Sequence, residues 1–248
     1  MLLILLEAFS GMTTTISNMT LHNSLSISIL LSLLEFVSEN RFTIWQYALN
    51  HFSLVLTVAL LSILLWVSIG VIIARYERLS RPVLGFSNIL FCIPSISLFG
   101  LFITVPHLGL GRTSAVLALL LYAMMPLVRN VYRGIRSVDP ALLEAGKGMG
   151  MTNFQLLWQI QLPIAWPVIF AGVRITVVMI TGIATMATFI GERNLGRLIH
   201  HGLARSNDDM IIAGAVIVSL IAVGLDFVLS LVEKKVTSPG LIKLRKKV

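Results

Sequence analysis

The sequence predicts an all-α, polytopic helical membrane protein with five core transmembrane helices. Of its 248 residues, 56% are hydrophobic and only 12% are charged, and the mean hydropathy is +0.91, which lies well outside the usual balance of a soluble domain. The apolar residues gather into stretches of about 20, the length that a helix needs to cross the hydrocarbon of a bilayer. The charges between these stretches favour one side, as in proteins that obey the positive-inside rule.

The five spans are bounded by charged or turn-forming residues, and we place them at 52–74, 83–105, 113–131, 167–190 and 210–232. The N-terminal segment, residues 1–45, contains two shorter apolar runs and leaves a sixth span open. No Lys or Arg precedes Arg41, so we do not expect a cleaved signal peptide. The lone cysteine, Cys92, excludes an intrachain disulfide.

The distribution of cations predicts the topology. Alternating spans leave five cations on one side, namely Arg41, Arg112, Arg193, Arg197 and Arg205. The other side receives thirteen: Arg75, Arg78, Arg81, Arg129, Arg133, Arg136, Lys147, Lys234, Lys235, Lys243, Arg245, Lys246 and Lys247. The richer side is predicted to be cytoplasmic. The basic tail, residues 236–248, therefore indicates topology and attraction to anionic membrane lipid, and a nucleic-acid partner is not expected.

The long cytoplasmic loop, residues 132–166, is predicted to contain two short helices. Asp139 can cap the first helix with Pro140 at its first position, and glycines loosen its end. Thr152 and Gln155 have the spacing of a capping box for the second helix, which we expect to end at Pro163. The apolar surface expected from this loop comes from Leu156, Leu157, Trp158 and Ile160.

The residues alone leave two roles open for this loop. It can dock into a groove of a cytoplasmic partner, or it can pack against its own membrane helices. The spacing of Glu144-Ala145-Gly146, then Gly150, then Ile160, Leu162 and Pro163 resembles the EAA loop of bacterial ABC-importer permeases. One position departs from the family pattern, since Gly146 stands where alanine is frequent. The resemblance implies that the loop is the coupling element that fits a cleft on a separate ATP-binding subunit.

The resemblance covers residues from about 46 to about 240, and it is greatest to the permeases for glycine betaine, carnitine or choline. Passages similar to that subfamily are Pro126-Leu127-Val128-Arg129-Asn130, Gly134-Ile135-Arg136 and Ala171-Gly172-Val173-Arg174. The sequence departs from it at Phe91 and at Glu192-Arg193-Asn194, which we interpret as positions of solute or receptor contact. The implied transmembrane domain spans 46–235.

The resemblance implies a multi-pass subunit of the bacterial inner membrane that imports an osmoprotectant by alternating access. The implied partners are two ATP-binding subunits, which hold ATP and magnesium, a second permease chain and an extracytoplasmic solute-binding protein. The chain itself has no G-x-x-x-x-G-K-[ST] loop, and no metal or cofactor site is expected. Its five histidines include the adjacent His200 and His201, and none lies within a predicted span. We therefore predict no catalytic residues.

Three other functions remain open at this stage. The solute can be an amino acid or an anion instead of an osmoprotectant. An ion-coupled carrier or channel would work without an ATPase and would not depend on the loop. A membrane-embedded enzyme would require converging acid, base or metal-binding groups, for which the sequence offers little.

Arg174 and Asp226 lie deep within predicted spans and are functional candidates because charge is costly in hydrocarbon. Both lie about 10 Å from the cytoplasmic ends of their spans at 1.5 Å per residue, so we predict an ion pair. The alternative is that each charge reaches headgroups or water separately.

Polar residues of two spans could line a translocation path. Hydroxyl groups in membrane helices more commonly bond to their own backbone, which is the competing interpretation. The candidates for the path are Ser87, Asn88, Pro94 and Ser95 in the second span, and Thr181, Thr185 and Thr188 in the fourth.

Overall fold

The structure, a computed structural model, describes residues 31–236. The first thirty residues, which form most of the segment 1–45 in which a sixth span was left open, and the tail from 237 onward lie outside the described residues. The described part is built from helices and contains no strand: α1 at 31–39, α2 Arg41–Arg75, α3 Glu77–Cys92, α4 Ser95–Thr104, α5 Arg112–Arg136, α6 Pro140–Gly148, α7 Asn153–Ile190, α8 Gly196–Arg205 and α9 Asp208–Val236. The predicted all-α, polytopic fold class is confirmed.

Four helices, α2, α5, α7 and α9, are long and apolar enough to cross a membrane without interruption. The predicted span at 83–105 is broken, because α3 and α4 meet at an angle of 98°. Ile93 has an extended backbone, which a following proline favours, and Pro94 opens α4 without an N–H. The hydroxyl of Tyr122 donates to the carbonyl of Ile93 at the break. With the bent pair α3–α4 counted as one broken span, the described residues contain five spans.

The cytoplasmic loop and the fourth span are joined in one helix, since α7 runs for 38 residues from Asn153 to Ile190. The prediction that Pro163 ends the second loop helix is wrong. The turns before it, Leu156–Gln161, are π-helical. Their wider register accommodates a residue that has no N–H to donate, so the helix continues. The predicted span at 167–190 is only the outer part of α7.

The central helix is α5, which packs against α2, α3, α4 and α7. Its side chains at Ala115, Ala118 and Ala123 are fully buried, and their small size lets neighbouring helices approach closely. His51 in α2 makes a further contact between helices. Its Nε2 lies 3.1 Å from the carbonyl oxygen of Thr181 in α7. A carbonyl only accepts hydrogen bonds, so Nε2 carries the proton. This fully buried histidine therefore ties α2 to α7 from within a membrane helix.

The observed helices preserve the predicted sidedness. The inner ends of α2, α5 and α9 carry Arg75, Arg136 and Lys234, and α6 lies on the same side. The outer side holds the starts of α5 and α9 together with α8. Helix α1 also belongs to the outer side, because the hydroxyl of Ser32 donates to the carboxylate of Asp209 at 3.0 Å.

Candidate functional site

The cytoplasmic knob, defined as residues 140–163, is held in shape by two caps. Asp139 Oδ1 accepts a hydrogen bond from the amide of Ala141 at 2.9 Å, with Pro140 at the start of α6. At the start of α7, the Gln155 amide donates to Thr152 Oγ1 at 3.3 Å, and the Thr152 amide donates to Gln155 Oε1 at 2.8 Å. The capping box expected from the sequence is present.

The turn between α6 and α7 depends on Gly150. Its φ of +82° is a left-handed conformation that favours glycine. The amide of Met151 donates to the carbonyl of Gly146 at 3.1 Å. The amide of Gly150 donates to the carbonyl of Lys147 at 2.9 Å. These two bonds form a Schellman motif, which ends α6 and reverses the chain onto α7.

Gly146 is the buried contact between the two helices of the knob. A Cβ at this position would lie 2.6 Å from Leu156 Cδ2 and 3.1 Å from Ile160 Cδ1, both on α7. The departure from the alanine of the family pattern thus accompanies a close helix approach. The glycine lets α6 lie directly on the π-helical turns.

We expect Gly146→Val to loosen the knob by about 1–3 kcal/mol, because the added methyl groups overlap side chains that are already packed. Gly148→Val is the matched control, since nothing lies within 4 Å of a Cβ there. Limited proteolysis in the 149–152 turn measures the difference. Equal cleavage rates for the two variants would contradict this packing.

The motif residues divide into an exposed and a buried set. Glu144 and Ala145 are exposed on α6, as are Gly150 and Pro163, whereas Gly146 and Leu162 are buried and Ile160 is half-buried. The sequence-based expectation for the apolar surface is partly wrong, since Leu156 and Leu157 pack inside. The exposed apolar side chains are Leu142, Met149, Phe154 and Trp158.

The exposed surface of the knob therefore combines a carboxylate with aromatic groups. The rings of Phe154 and Trp158 lie 5.9 Å apart, and Trp158 is 57% exposed. Leu157 and Leu162 anchor the root of the knob against Ala74 of α2 and Ile135 of α5. The knob thus packs on its own membrane helices with one face and leaves the other for a partner, so the two roles left open by the sequence are compatible.

Arg174 and Asp226 lie in direct contact between α7 and α9. Two parallel bonds of 2.8 Å join Arg174 Nε to Asp226 Oδ1 and Nη2 to Oδ2. Such a bidentate geometry fixes the relative orientation of both groups. Arg174 Nη1 also donates to Glu233 Oε2 at 3.1 Å. One guanidinium therefore joins two carboxylates of α9.

Two participants in polar contacts between the helices were not predicted from the sequence. Glu233 follows Asp226 by seven residues, a two-turn spacing that puts both on one face of a helix and could have revealed it. Arg129 was assigned to the cytoplasmic side. It lies seven residues before the end of α5, and its Nη2 donates to Asn88 Oδ1 of α3 at 2.7 Å.

Most hydroxyl groups proposed for the path bond to their own helices. Thr181 is buried and donates to the carbonyl of Val177 at 2.7 Å. Ser87 and Thr185 bond to carbonyls three residues earlier. Ser95, Thr185 and Thr188 are half-buried, and Pro94 is exposed. Three of the five hydroxyl groups proposed for the path therefore bond to a carbonyl of their own helix, and a role in the path stays a prediction.

In the Glu192-Arg193-Asn194 segment, the first and last residues are buried and make contacts within the fold. Asn194 is fully buried and donates to the carbonyl of Ala184 at 2.7 Å. Glu192 lies 3.4 Å from Arg112, which also donates to Ser53 at 3.0 Å. Burial raises the pKa of Glu192, and the positive charge of Arg112 opposes that shift. Arg193 alone is exposed, so solute or receptor contact at Glu192 and Asn194 is not supported.

The sequence of this chain is similar to those of known membrane transport proteins. The family model for the inner membrane component of binding-protein-dependent transport systems matches residues 66–238. The glycine betaine/carnitine/choline transport system permease protein OpuCB of Bacillus subtilis is 40% identical over 77% of this chain and 88% of its own. The osmoprotectant import permease protein OsmW of Salmonella typhimurium is 39% identical over 84% and 98%.

A solved structure shares the fold. An inward-facing form of the MetNI methionine ABC transporter superposes with a TM-score of 0.73, covering 81% of this chain and 99% of the matched chain at 20% identity. The chain therefore belongs to the family of inner membrane components of binding-protein-dependent transport systems and is the permease subunit of an ABC importer.

Proposed function

We propose that the chain carries a small osmoprotectant, such as glycine betaine, carnitine or choline, into the cytoplasm. The observation that carries this proposal is the similarity to permeases named for these solutes, at 39–40% identity over most of both chains. Quaternary ammonium groups are usually recognised by aromatic cages. We assign the main selectivity to the extracytoplasmic binding protein, which delivers the solute to the outer face.

The working transporter contains two permease chains, identical or related, with the path between them. Two ATP-binding subunits lie beneath the knobs, hold ATP and magnesium and close on each other. The binding protein docks on the outer side.

Movement of the knob reaches the membrane through α7. The helix is continuous from Asn153 to Ile190, so displacement of its first turns carries the membrane-spanning part with it. The Arg174 guanidinium, bound to Asp226 and Glu233, transfers that displacement to α9. The packing of α7 on α5 adds a second connection. The coupling element thus acts on the bundle without a hinge at Pro163.

Uptake of labelled glycine betaine by cells lacking other osmoprotectant importers tests the solute class. We expect uptake at high osmolarity when this chain is expressed with its partner subunits, and competition by unlabelled carnitine or choline. Alanine and sulfate serve as control competitors. Uptake that is blocked by alanine or sulfate and not by quaternary ammonium compounds would overturn the solute assignment and leave the permease assignment intact.

A further inference from the structure

The outer surface carries an unusual row of cations. Arg193, Arg197, His201 and Arg205 recur every four residues, and His200 lies beside them. We call these five residues the outer basic ridge. No acidic residue occurs between Arg193 and Asn207. Arg193 lies in the turn before α8, and the other four residues lie on α8 itself.

The charge of the ridge is not neutralised within the described residues. None of the arginines at 193, 197 and 205 forms an ion pair there, whereas Arg112 on the same side pairs with Glu192. Cations on the outer side also run against the positive-inside rule. The absence of these ion pairs and the sidedness of the cations therefore indicate that the ridge serves a purpose outside the described part of this chain.

The ridge is mounted on a rigid support. A Cβ on Gly196 would lie 2.0 Å from the carbonyl oxygen of Thr185, so α8 presses directly on the end of α7. Leu198 and Gly202 are buried, and a Cβ on Gly202 would lie 2.7 Å from Ile211 of α9. Helix α8 is thus fixed between α7 and α9. On it His200 and Arg205 are exposed and Arg197 and His201 are half-buried, and Arg193 is exposed just before its start.

The ridge extends further than one small solute. From Arg197 to Arg205 the helix extends about 12 Å at 1.5 Å per residue, which exceeds the contact that one small solute makes. Leu203, near the outer end, is 64% exposed and adds an apolar group. Burial lowers the pKa of His201, and Arg197, Arg205 and His200 lower it further. The arginines therefore supply the positive charge near neutral pH.

We propose that the outer basic ridge is the docking surface for the extracytoplasmic solute-binding protein, which presents acidic side chains to Arg193, Arg197 and Arg205. The inference rests on the proposed function, since it specifies how the binding protein recognises the permease. The position of the ridge also suits transmission of docking to the membrane helices. Arg193 follows Glu192, whose partner Arg112 contacts Ser53 of α2, so docking occurs beside the contact that joins the outer end of α5 to α2.

The test uses the complete complex of permease and ATPase subunits in nanodiscs and a purified extracytoplasmic glycine betaine-binding protein from the same organism. The main variant combines Arg193→Glu, Arg197→Glu and Arg205→Glu. We expect its dissociation constant to rise about tenfold or more and its salt dependence to weaken, because steering between opposite charges is lost. Arg81→Glu, which reverses an exposed cation of α3 on the cytoplasmic side, is the control and should bind like the unchanged chain.

A milder triple variant with glutamine at the three positions guards against misfolding, and copurification of the ATPase subunit reports assembly of each variant. Unchanged affinity and salt slope in the assembled variants overturn the ridge while leaving the proposed function standing. If the variants bind the receptor as the unchanged chain does but lose a dependence on anionic lipid, the ridge contacts the membrane. That result also overturns the inference. An unchanged chain that binds no receptor overturns both.

Discussion

Glu144→Arg is expected to abolish assembly of the permease with its ATP-binding subunit. Glu144 is exposed on α6 and forms no ion pair within the described residues, so the substitution leaves the fold of the chain intact. Reversing a charge within a docked interface costs at least about 2 kcal/mol, or roughly thirtyfold in affinity. Copurification of the ATPase with the tagged chain measures the effect, and solute uptake should fall with it.

The matched control is Glu39→Arg, the same chemical change on the outer side, at an exposed residue of α1. We expect this variant to retain the ATPase. Trp158→Ala offers an independent test of the same surface, because its ring is 57% exposed and adds little to the fold. If the ATPase copurifies equally well with Glu144→Arg, Trp158→Ala and the unchanged chain, the knob is not the coupling element.

Reversing the charge of Asp226 is expected to impair transport almost as severely. In Asp226→Arg two guanidinium groups face each other, with only Glu233 to compensate. A partly buried charge that loses its partner costs about 2 kcal/mol or more, and repulsion adds to this cost. We expect uptake to fall about tenfold or more. Arg174→Asp should have a similar effect, because it places three carboxylates together.

Glu233, the third residue of this charged cluster, makes the test specific. Combining Arg174→Asp with Asp226→Arg should restore uptake only in part, since the new carboxylate at position 174 then lies beside Glu233. Adding Glu233→Gln removes that repulsion and should restore more. Glu233→Gln alone serves as the control with a small effect. A triple variant that is no better than either single reversal would show that the pairing of α7 with α9 does not matter for transport.

Helix identity and sidedness followed from the sequence because both depend on local properties. Runs of about 20 apolar residues have few alternatives to a membrane helix, and the charges at their ends select the orientation. The caps at Asp139 and Thr152 were predictable for the same reason, since each involves residues only two or three positions apart.

Helix continuity could not be read from prolines alone. Pro94 coincides with a bend of 98°, whereas Pro163 lies within an uninterrupted helix because π-helical turns precede it. The orientation of Leu156 and Leu157 depends on the same turns and on the glycine at position 146. These features result from packing between distant elements, and no local pattern marks them.

Contacts within the membrane were only partly predictable. Equal depth in two neighbouring spans suggested Arg174 and Asp226, but the helix rotation that brings Glu233 to the same guanidinium is set by packing. The hydroxyl spacing at Thr181, Thr185 and Thr188 suggested a path, although a shared face does not determine whether that face meets a neighbour or an opening. Thr181 meets a neighbour and is fully buried.

The most direct test of the account is solute uptake by proteoliposomes that contain this permease, its ATP-binding subunit and the solute-binding protein, measured with ATP on the knob side or without it. We predict uptake that requires ATP, its hydrolysis and the binding protein together. Uptake that proceeds at the same rate without ATP would contradict the account and identify the chain as a carrier or channel that works without an ATPase.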